Sequence, residues 1–146
     1  MADLSHHQGD IGAHPDVSEM RDRYARVLGG RGAVGVDGLL LLAGLWAAIS
    51  PWTVHFAPTS AQLAQNNLIM GIAVAAVALF LNLAPQRMQG LSMACAVIGA
   101  WLIVSPWVVT RHPDTGAMWN NIITGAVICL LGLAAAGMMM RKSREA

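Results

Sequence analysis

Charged residues are missing from four long stretches of this 146-residue chain: 12% of its residues are charged and 55% are apolar. Ordinary soluble domains have about a quarter of their residues charged. A soluble four-helix bundle would also have a polar face on every helix, which these stretches lack. Each is long enough to cross a hydrocarbon layer of about 30 Å as a helix. The stretches without Asp, Glu, Lys or Arg are residues 38–56, 68–85, 91–110 and 122–140.

The chain also has few groups that could carry chemistry inside a membrane. Asp37 is the ionisable residue nearest to a span, and we expect it to cap the helix at the cytoplasmic entrance of that span. Proton coupling is the alternative role, since intramembrane acids are often functional. Cys95 and Cys129 differ in expected depth by about 10 Å, too far for a disulfide. Both are expected to be small buried hydrophobes.

Histidines do not form a recognisable site. His6, His7 and His14 lie in the polar N-terminal region without a ligand spacing typical of a metal site. His55 and His112 fall in loops, so haem ligation inside a span is not expected. Phosphate-binding loops, nucleophile elbows and zinc-protease motifs are missing as well. The sequence therefore predicts no enzyme activity, no cofactor and no metal site.

One sequence pattern occurs twice, 55 residues apart. GLWAAISPW at 44–52 is repeated as GAWLIVSPW at 99–107, and NNLIMG at 66–71 returns as NNIITG at 120–125 with an offset of 54. Such a period indicates a duplicated structural unit. The motif residues are Trp46, Ser50, Pro51, Trp52, Asn66, Asn67 and Gly71 in the first copy, and Trp101, Ser105, Pro106, Trp107, Asn120, Asn121 and Gly125 in the second.

These patterns predict an all-α membrane protein of two tandem two-helix repeats in parallel orientation, with a short N-terminal amphipathic helix. The predicted transmembrane helices are 33–52, 67–85, 90–107 and 120–140. The predicted domains are a polar tail at 1–32, a first repeat at 33–85, and a second repeat with a short basic tail at 86–146.

Basic residues are distributed unevenly around these spans. Only Arg111 of the nine falls on the side of the two SPW sequences, although the net charge is close to neutral at +1. Because basic residues favour the cytoplasmic side, we expect an inner-membrane protein with both termini in the cytoplasm. The other eight basic residues are Arg21, Arg23, Arg26, Arg31, Arg87, Arg141, Lys142 and Arg144.

The N-terminal region divides into two parts. Residues 1–14 have no hydrophobic period and are expected to be disordered. Residues 15–28 have apolar positions on one helical face and are predicted to form a short amphipathic helix ended by Gly29, Gly30 and Gly32. This helix would lie on the cytoplasmic membrane surface or serve as a solvated linker.

The SPW sequences predict helix ends or kinks at Ser50 and Ser105, because proline removes a backbone donor and restricts the preceding residue. Each serine hydroxyl could bond a carbonyl group freed by the proline. Trp46 and Trp101 are expected to meet the proline turn of their own repeat. The alternative is an outward aromatic groove, built from the four motif tryptophans and the loop histidines, that binds a lipid, a quinone or a partner helix.

The second pattern of each repeat predicts helix starts and close packing. The pairs Asn66–Asn67 and Asn120–Asn121 are expected to begin their helices, because asparagine is a good N-cap. Among the small residues of the spans, Gly71 and Gly125 recur at equivalent positions. Small residues at such positions let helix backbones approach closely in lipid.

The doubled G-x-W-x3-S-P-W with the following N-N-x-I-x-G resembles the SPW repeat family of small bacterial integral membrane proteins. The resemblance covers roughly residues 33–140 with both motif copies intact. It implies a pair of two-helix membrane repeats with SPW at the end of the first helix of each. It brings no catalytic residues with it.

Function is therefore expected to be non-enzymatic. The chain is predicted to be a structural or accessory membrane protein that contacts the lipid bilayer and docks through its helices onto another membrane protein or a second copy of itself. Nucleic acid is not an expected partner, because the basic residues follow the membrane edges. The rival is a small dimeric transporter or channel. Its polar lining would be Asn66, Asn67, Asn82, Asn120, Asn121 and Thr124.

Overall fold

The computed structural model describes residues 15–83 and 89–145, apart from the side chains of residues 25–30 and 89. The described residues contain four α-helices and no strand. The helices are α1 (Pro15–Thr53), α2 (Ala61–Leu83), α3 (Gln89–Val109) and α4 (Thr115–Glu145). The predicted disorder of residues 1–14 and the predicted boundary at residues 85 and 86 lie outside the described residues.

All four helices contain a segment that could cross a membrane. Each segment has a mean hydropathy between 1.8 and 2.3 and is at least 20 residues long, or about 30 Å as a helix. The all-α membrane fold with four spans is thereby confirmed. The segments are Arg31–Thr53, Ala61–Leu83, Gly90–Val109 and Thr115–Glu145.

The expected end of the amphipathic helix at Gly29, Gly30 and Gly32 is wrong. Residues 15–28 are helical as predicted, but α1 has no interruption between Pro15 and Thr53. Glycine lowers helix stability by only about 1 kcal/mol, which does not enforce a break. By its internal contacts the chain divides into two compact units between Ala33 and Val34.

Helices α2 and α4 begin earlier than the asparagine pairs predict. The amide of Ala64 donates to the carbonyl oxygen of Ser60 at 2.9 Å, and the amide of Met118 donates to that of Asp114 at 2.9 Å. Ser60 and Asp114 are therefore the N-cap residues, and both are preferred types there. The asparagine pairs lie in the second turn, where their side chains bond other parts of the bundle instead of the backbone.

Helices α1 and α3 continue through their prolines, so of the predicted helix ends or kinks at Ser50 and Ser105 the helix ends are wrong. A proline at position 51 leaves the carbonyl of Ala47 without its intrahelical donor. The Ser50 hydroxyl supplies one, with Oγ 3.0 Å from that oxygen. In the second repeat the Ser105 hydroxyl donates to Leu102 at 2.9 Å. This predicted use of the serines is confirmed, and it explains how both helices pass the proline.

Glycines bring α1 and α2 into backbone contact. A Cβ atom added to Gly71 would lie 2.4 Å from the amide nitrogen of Ala48 and 2.6 Å from the carbonyl oxygen of Gly44. A Cβ atom on Gly44 would lie 2.7 Å from the nitrogen of Ala75. Real Cβ atoms do not approach backbone this closely, so the crossing requires glycine at both positions.

The second repeat has the same crossing between α3 and α4. A Cβ atom on Gly99 would lie 2.5 Å from the nitrogen of Cys129, and one on Gly125 would lie 2.6 Å from the oxygen of Gly99. A further contact follows below it, where a Cβ atom on Gly132 would lie 2.6 Å from the nitrogen of Ala96. Both recurring glycines predicted to allow close packing thus lie at helix crossings.

The interior between the helices is narrow and apolar, and large apolar side chains point outward from every helix. Leu102 and Ile128 belong to the buried cluster, while Leu42, Ile72 and Leu130 are more than half exposed. In water such surfaces would be unfavourable by roughly 25 cal/mol per Å². These apolar side chains therefore face the lipid. The central buried cluster comprises Leu40, Ala47, Val74, Ala78, Leu81, Cys95, Leu102 and Ile128.

Candidate functional site at the SPW end

Two reciprocal hydrogen bonds connect the repeats at one end of the bundle. The indole nitrogen of Trp46 donates to Oδ1 of Asn120 at 3.2 Å, and that of Trp101 donates to Oδ1 of Asn66 at 3.0 Å. Trp46 and Trp101 are equivalent in the two repeats, as are Asn66 and Asn120. These bonds bring together the ends of α1 and α3 and the starts of α2 and α4, an end that we call the SPW end.

Between these bonds lies a buried pair of side-chain amides. Nδ2 of Asn67 donates to Oδ1 of Asn121 at 2.7 Å, and Nδ2 of Asn121 donates back to Oδ1 of Asn67 at 3.1 Å. Both residues are 1% exposed. A buried amide is costly unless it is paired, and each of these satisfies the other. The pair therefore connects α2 and α4 across the repeat boundary.

The amide network is not fully symmetric. Nδ2 of Asn121 also donates to the Ser105 hydroxyl at 3.0 Å, and Nδ2 of Asn120 donates to Oδ1 of Asn121 at 3.3 Å. The first repeat forms neither bond, and Nδ2 of Asn66 is buried without a hydrogen-bond partner. Asn121 is thus the most connected side chain of the network, and Asn66 is its weakest member.

The indole N–H groups of Trp46 and Trp101 bond across the repeats, because each donates to an asparagine of the other repeat. Sequence analysis could not reveal this exchange, because it depends on how the repeats pack. The expected contact of each tryptophan with the proline turn of its own repeat stays a prediction. Trp52 and Trp107 are 55% and 50% exposed, as is typical of tryptophan at a membrane–water interface.

An open cleft of about 570 Å³ lies at the SPW end, between the start of α2 and the end of α3. It brings together Trp107 and His112 of the predicted aromatic groove, but Trp46, Trp52, Trp101 and His55 do not line it. The lining combines polar and apolar side chains. It comprises Thr59, Ser60, Ala61, Gln62, Trp107, Val108, Val109, Thr110, Arg111 and His112.

Asp37 does not cap a helix, contrary to expectation. It lies within α1, 22 residues after the start at Pro15, and is only 7% exposed. It belongs to the buried face that continues through Leu40 and Gly44, because residues three and seven positions later lie on one helix face. Sequence analysis predicted a solvent-facing Asp37, whereas packing within the first repeat buries it.

The two cysteines are separate free thiols, Cys95 buried and Cys129 partly buried. Both take part in packing: Cys95 belongs to the central cluster, and the backbone of Cys129 meets Gly99 at the second crossing.

Among the described residues, His, Cys, Asp and Glu form no group of three that could bind a metal ion. His6, His7 and His14 lie outside the described residues. His55 has a φ of 67°, which is uncommon for a residue with a side chain. It follows Val54, whose amide donates to the oxygen of Ser50 at 2.8 Å. This histidine forms the turn that ends α1.

The residues of the rival polar lining are mostly bonded within the bundle. Besides the four motif asparagines, Asn82 donates to the carbonyl oxygen of Ala78 at 3.2 Å. Thr124 is 7% exposed, one turn from the Asn121 amide. Apart from the unpartnered Nδ2 of Asn66, the asparagine side chains bond one another, a tryptophan, Ser105 or the backbone.

Three residues outside the motif were missed by the sequence analysis. Ser60 and Asp114 begin α2 and α4, and their type before an apolar run could have revealed them. Phe56 is fully buried in a small cluster with Leu63 and Ala117. Its burial carried no sequence signal, because it lies in a loop outside any hydrophobic period.

Comparison with known proteins supports the repeat structure. The family model of the SPW repeat domain matches residues 34–135, which is more than half of the chain. Neither the comparison with curated proteins nor that with solved structures gives a match. The match includes both copies of the motif, the two glycine crossings and the paired amides. The chain belongs to the SPW repeat family.

Proposed function

We propose that this membrane protein is a non-enzymatic structural or accessory subunit that docks through its helices onto another membrane protein or a second copy of itself. The observation that carries the proposal is the hydrogen bonding of the asparagine amides at the SPW end. Asn67 and Asn121 bond each other between the repeats, and the neighbouring amide oxygens accept the tryptophan N–H groups. The buried polar groups at the SPW end thus hold the four helices together.

Close helix crossings also favour a scaffold over a conduit. At Gly44, Gly71, Gly99 and Gly125 the backbones of paired helices approach so closely that a methyl group would overlap backbone atoms. Such crossings leave no space for a solute between the two helices of a repeat. The large apolar side chains on the outer faces are available for lipid or for another helix.

The parallel orientation of the repeats and the cytoplasmic location of both termini belong to this proposal. The reciprocal Trp–Asn bonds are what two units related by a pseudo-two-fold axis along the membrane normal would form. The distribution of basic residues favours the SPW end outside and Arg141, Lys142 and Arg144 in the cytoplasm.

Cysteine-accessibility labelling tests this topology in a chain whose two native cysteines are replaced by alanine. Single cysteines would be placed at four exposed positions, Met20, Thr59, Thr115 and Ser143. A membrane-impermeant thiol reagent should label positions 59 and 115 from outside and positions 20 and 143 only after permeabilisation. The reverse pattern would contradict the orientation.

Extraction in mild detergent, followed by affinity capture and mass spectrometry, tests the accessory role. A stoichiometric membrane protein partner, or a homodimer that conducts nothing, is the expected result. The transporter or channel remains the rival from a different class. A pure homodimer that moves a solute in liposomes, and loses that flux when Thr124 is replaced by valine, would overturn the proposal.

A further inference from the structure

We propose that the cleft at the SPW end binds the phosphate group of a phospholipid. The site goes beyond the docking role proposed above and does not depend on it. Its wall carries Arg111, whose side chain is exposed and forms no ion pair with a described residue. Arginine binds phosphate oxygens through a planar set of N–H donors.

Helix α2 begins at this cleft. Its first turn, Ala61–Leu63, has amide groups without intrahelical acceptors, and the first intrahelical bond is from Ala64 to Ser60. Helix N-termini attract anions because their free N–H groups and the positive end of the helix dipole both face the anion. The first turn of α2 contains no acidic residue that could supply the negative charge from within the helix.

Ser60 provides an independent sign of a ligand. It lines the cleft, it is only 9% exposed, and its hydroxyl forms no hydrogen bond with a described residue. Its oxygen is not fully buried, unlike the unpartnered Nδ2 of Asn66, so it can be reached from the cleft. Thr59, beside it, already donates to the carbonyl oxygen of Phe56 at 3.0 Å. The Ser60 hydroxyl therefore remains available to donate to an oxygen in the cleft.

The other repeat serves as an internal control. Arg111 is equivalent to Phe56, which is fully buried against Leu63 and Ala117. Ser60 is equivalent to Asp114, an acidic N-cap residue that gives α4 its own negative charge. This cleft thus has a cation where the other repeat has a buried phenylalanine, and a neutral hydroxyl where the other repeat has an acid. Each difference favours an anion there.

The apolar part of the wall favours a lipid over free phosphate. Trp107 is half exposed and lines the cleft together with Val108 and Val109. Tryptophan at this position marks the level of lipid headgroups. A phospholipid would place its phosphate near Arg111 and Ser60 and its glycerol and upper acyl chains against these apolar side chains.

Native mass spectrometry of the full chain in detergent tests the proposal, with phosphatidylglycerol as the probe. Arg111→Gln should weaken the binding of one lipid per chain about tenfold, as expected for a lost charge-assisted hydrogen bond. Ser60→Asp, which copies the other repeat, should weaken it as well. Arg141→Gln removes the same charge at the far end of α4 and should change binding less than about twofold.

Several outcomes would overturn the proposal. Equal losses in the Arg111 and Arg141 variants would show a general charge effect. Diacylglycerol with the same acyl chains should show no dependence on Arg111, and such a dependence would exclude the phosphate as the recognised group. Full displacement of the lipid by inorganic phosphate would mean that the cleft binds a free anion. Thermal unfolding midpoints of the variants should match that of the original chain, which separates lost binding from lost folding.

Discussion

The two repeats share their motif residues but differ in the amide network at the SPW end. Asn121 bonds Asn67, Asn120 and Ser105, whereas Asn67 bonds only Asn121. Both repeats keep the glycine crossing and the serine that bonds the carbonyl freed by proline. The glycine crossings and the serine–carbonyl bonds therefore recur in both repeats, whereas the hydrogen bonds of the amides differ.

This difference separates what holds each repeat together from what holds the two repeats to each other. The glycine crossings act within a repeat and depend only on backbone contact. The indole bonds and the Asn67–Asn121 pair act between repeats, and in that pair each residue faces its own equivalent. Equivalent side chains do not form the same set of bonds there. The unpartnered Nδ2 of Asn66 is an example.

The largest expected effect is at the glycine crossings. Gly71→Ala puts a methyl group 2.4 Å from a backbone nitrogen, and Gly125→Ala puts one 2.6 Å from a backbone oxygen. We expect each to lower the free energy of unfolding by about 3 kcal/mol, since backbone cannot yield as side chains do. Denaturant unfolding in mixed micelles measures this. Gly137→Ala has open space around it and should be neutral or slightly stabilising.

A second comparison concerns the amide pair. Asn121→Ala removes every hydrogen bond to that side chain. It should lower the free energy of unfolding by about 1.5 kcal/mol, near the upper end for such bonds in membranes. Asn67→Ala should cost about 1 kcal/mol, because fewer bonds are lost. The double variant should be less destabilised than the sum of both. Strict additivity would show that the two amides do not interact.

A third comparison concerns the indole bonds. Trp101→Phe leaves Asn66 without any partner, because its Nδ2 already has none. Trp46→Phe leaves Asn120 with its bond to Asn121. We expect losses of about 1 and 0.5 kcal/mol respectively. Thermal unfolding in detergent checks the order, with Trp52→Phe as a control that loses no hydrogen bond to a described residue. Equal losses would contradict the asymmetry.

Much of this fold could be predicted from the sequence because membrane helices depend on local composition. Lack of charge locates a span, and proline and glycine leave recognisable patterns. Helix starts were placed too late because Asn66 and Asn120 resemble caps, while the true caps at Ser60 and Asp114 lie in less apolar sequence. The first turn of α2 and of α4 was thus assigned to loops.

The candidate site was harder to predict because it depends on contacts between the repeats. Nothing in the order of residues shows that Trp46 reaches Asn120, 74 positions away. The 55-residue offset pairs Arg111 with Phe56, but it does not show that Arg111 lies beside Ser60 at the start of α2, because that contact depends on how the helices pack. Asp37 was misplaced for a similar reason, since its burial comes from tertiary packing.

The smallest expected effects are at the SPW serines, where the two repeats again differ. The Ser50 hydroxyl has one bond, to the carbonyl oxygen of Ala47, whereas that of Ser105 donates to Leu102 and accepts from Asn121. Ser50→Ala should therefore cost about 0.5 kcal/mol and Ser105→Ala about 1 kcal/mol. Thermal unfolding in detergent gives the ranking. In an Asn121→Ala background Ser105 keeps only its bond to Leu102, so the two serine substitutions should then have equal effects. A persistent difference would mean that the repeats diverge in the proline turn itself, and that the amide network is not the source of their asymmetry.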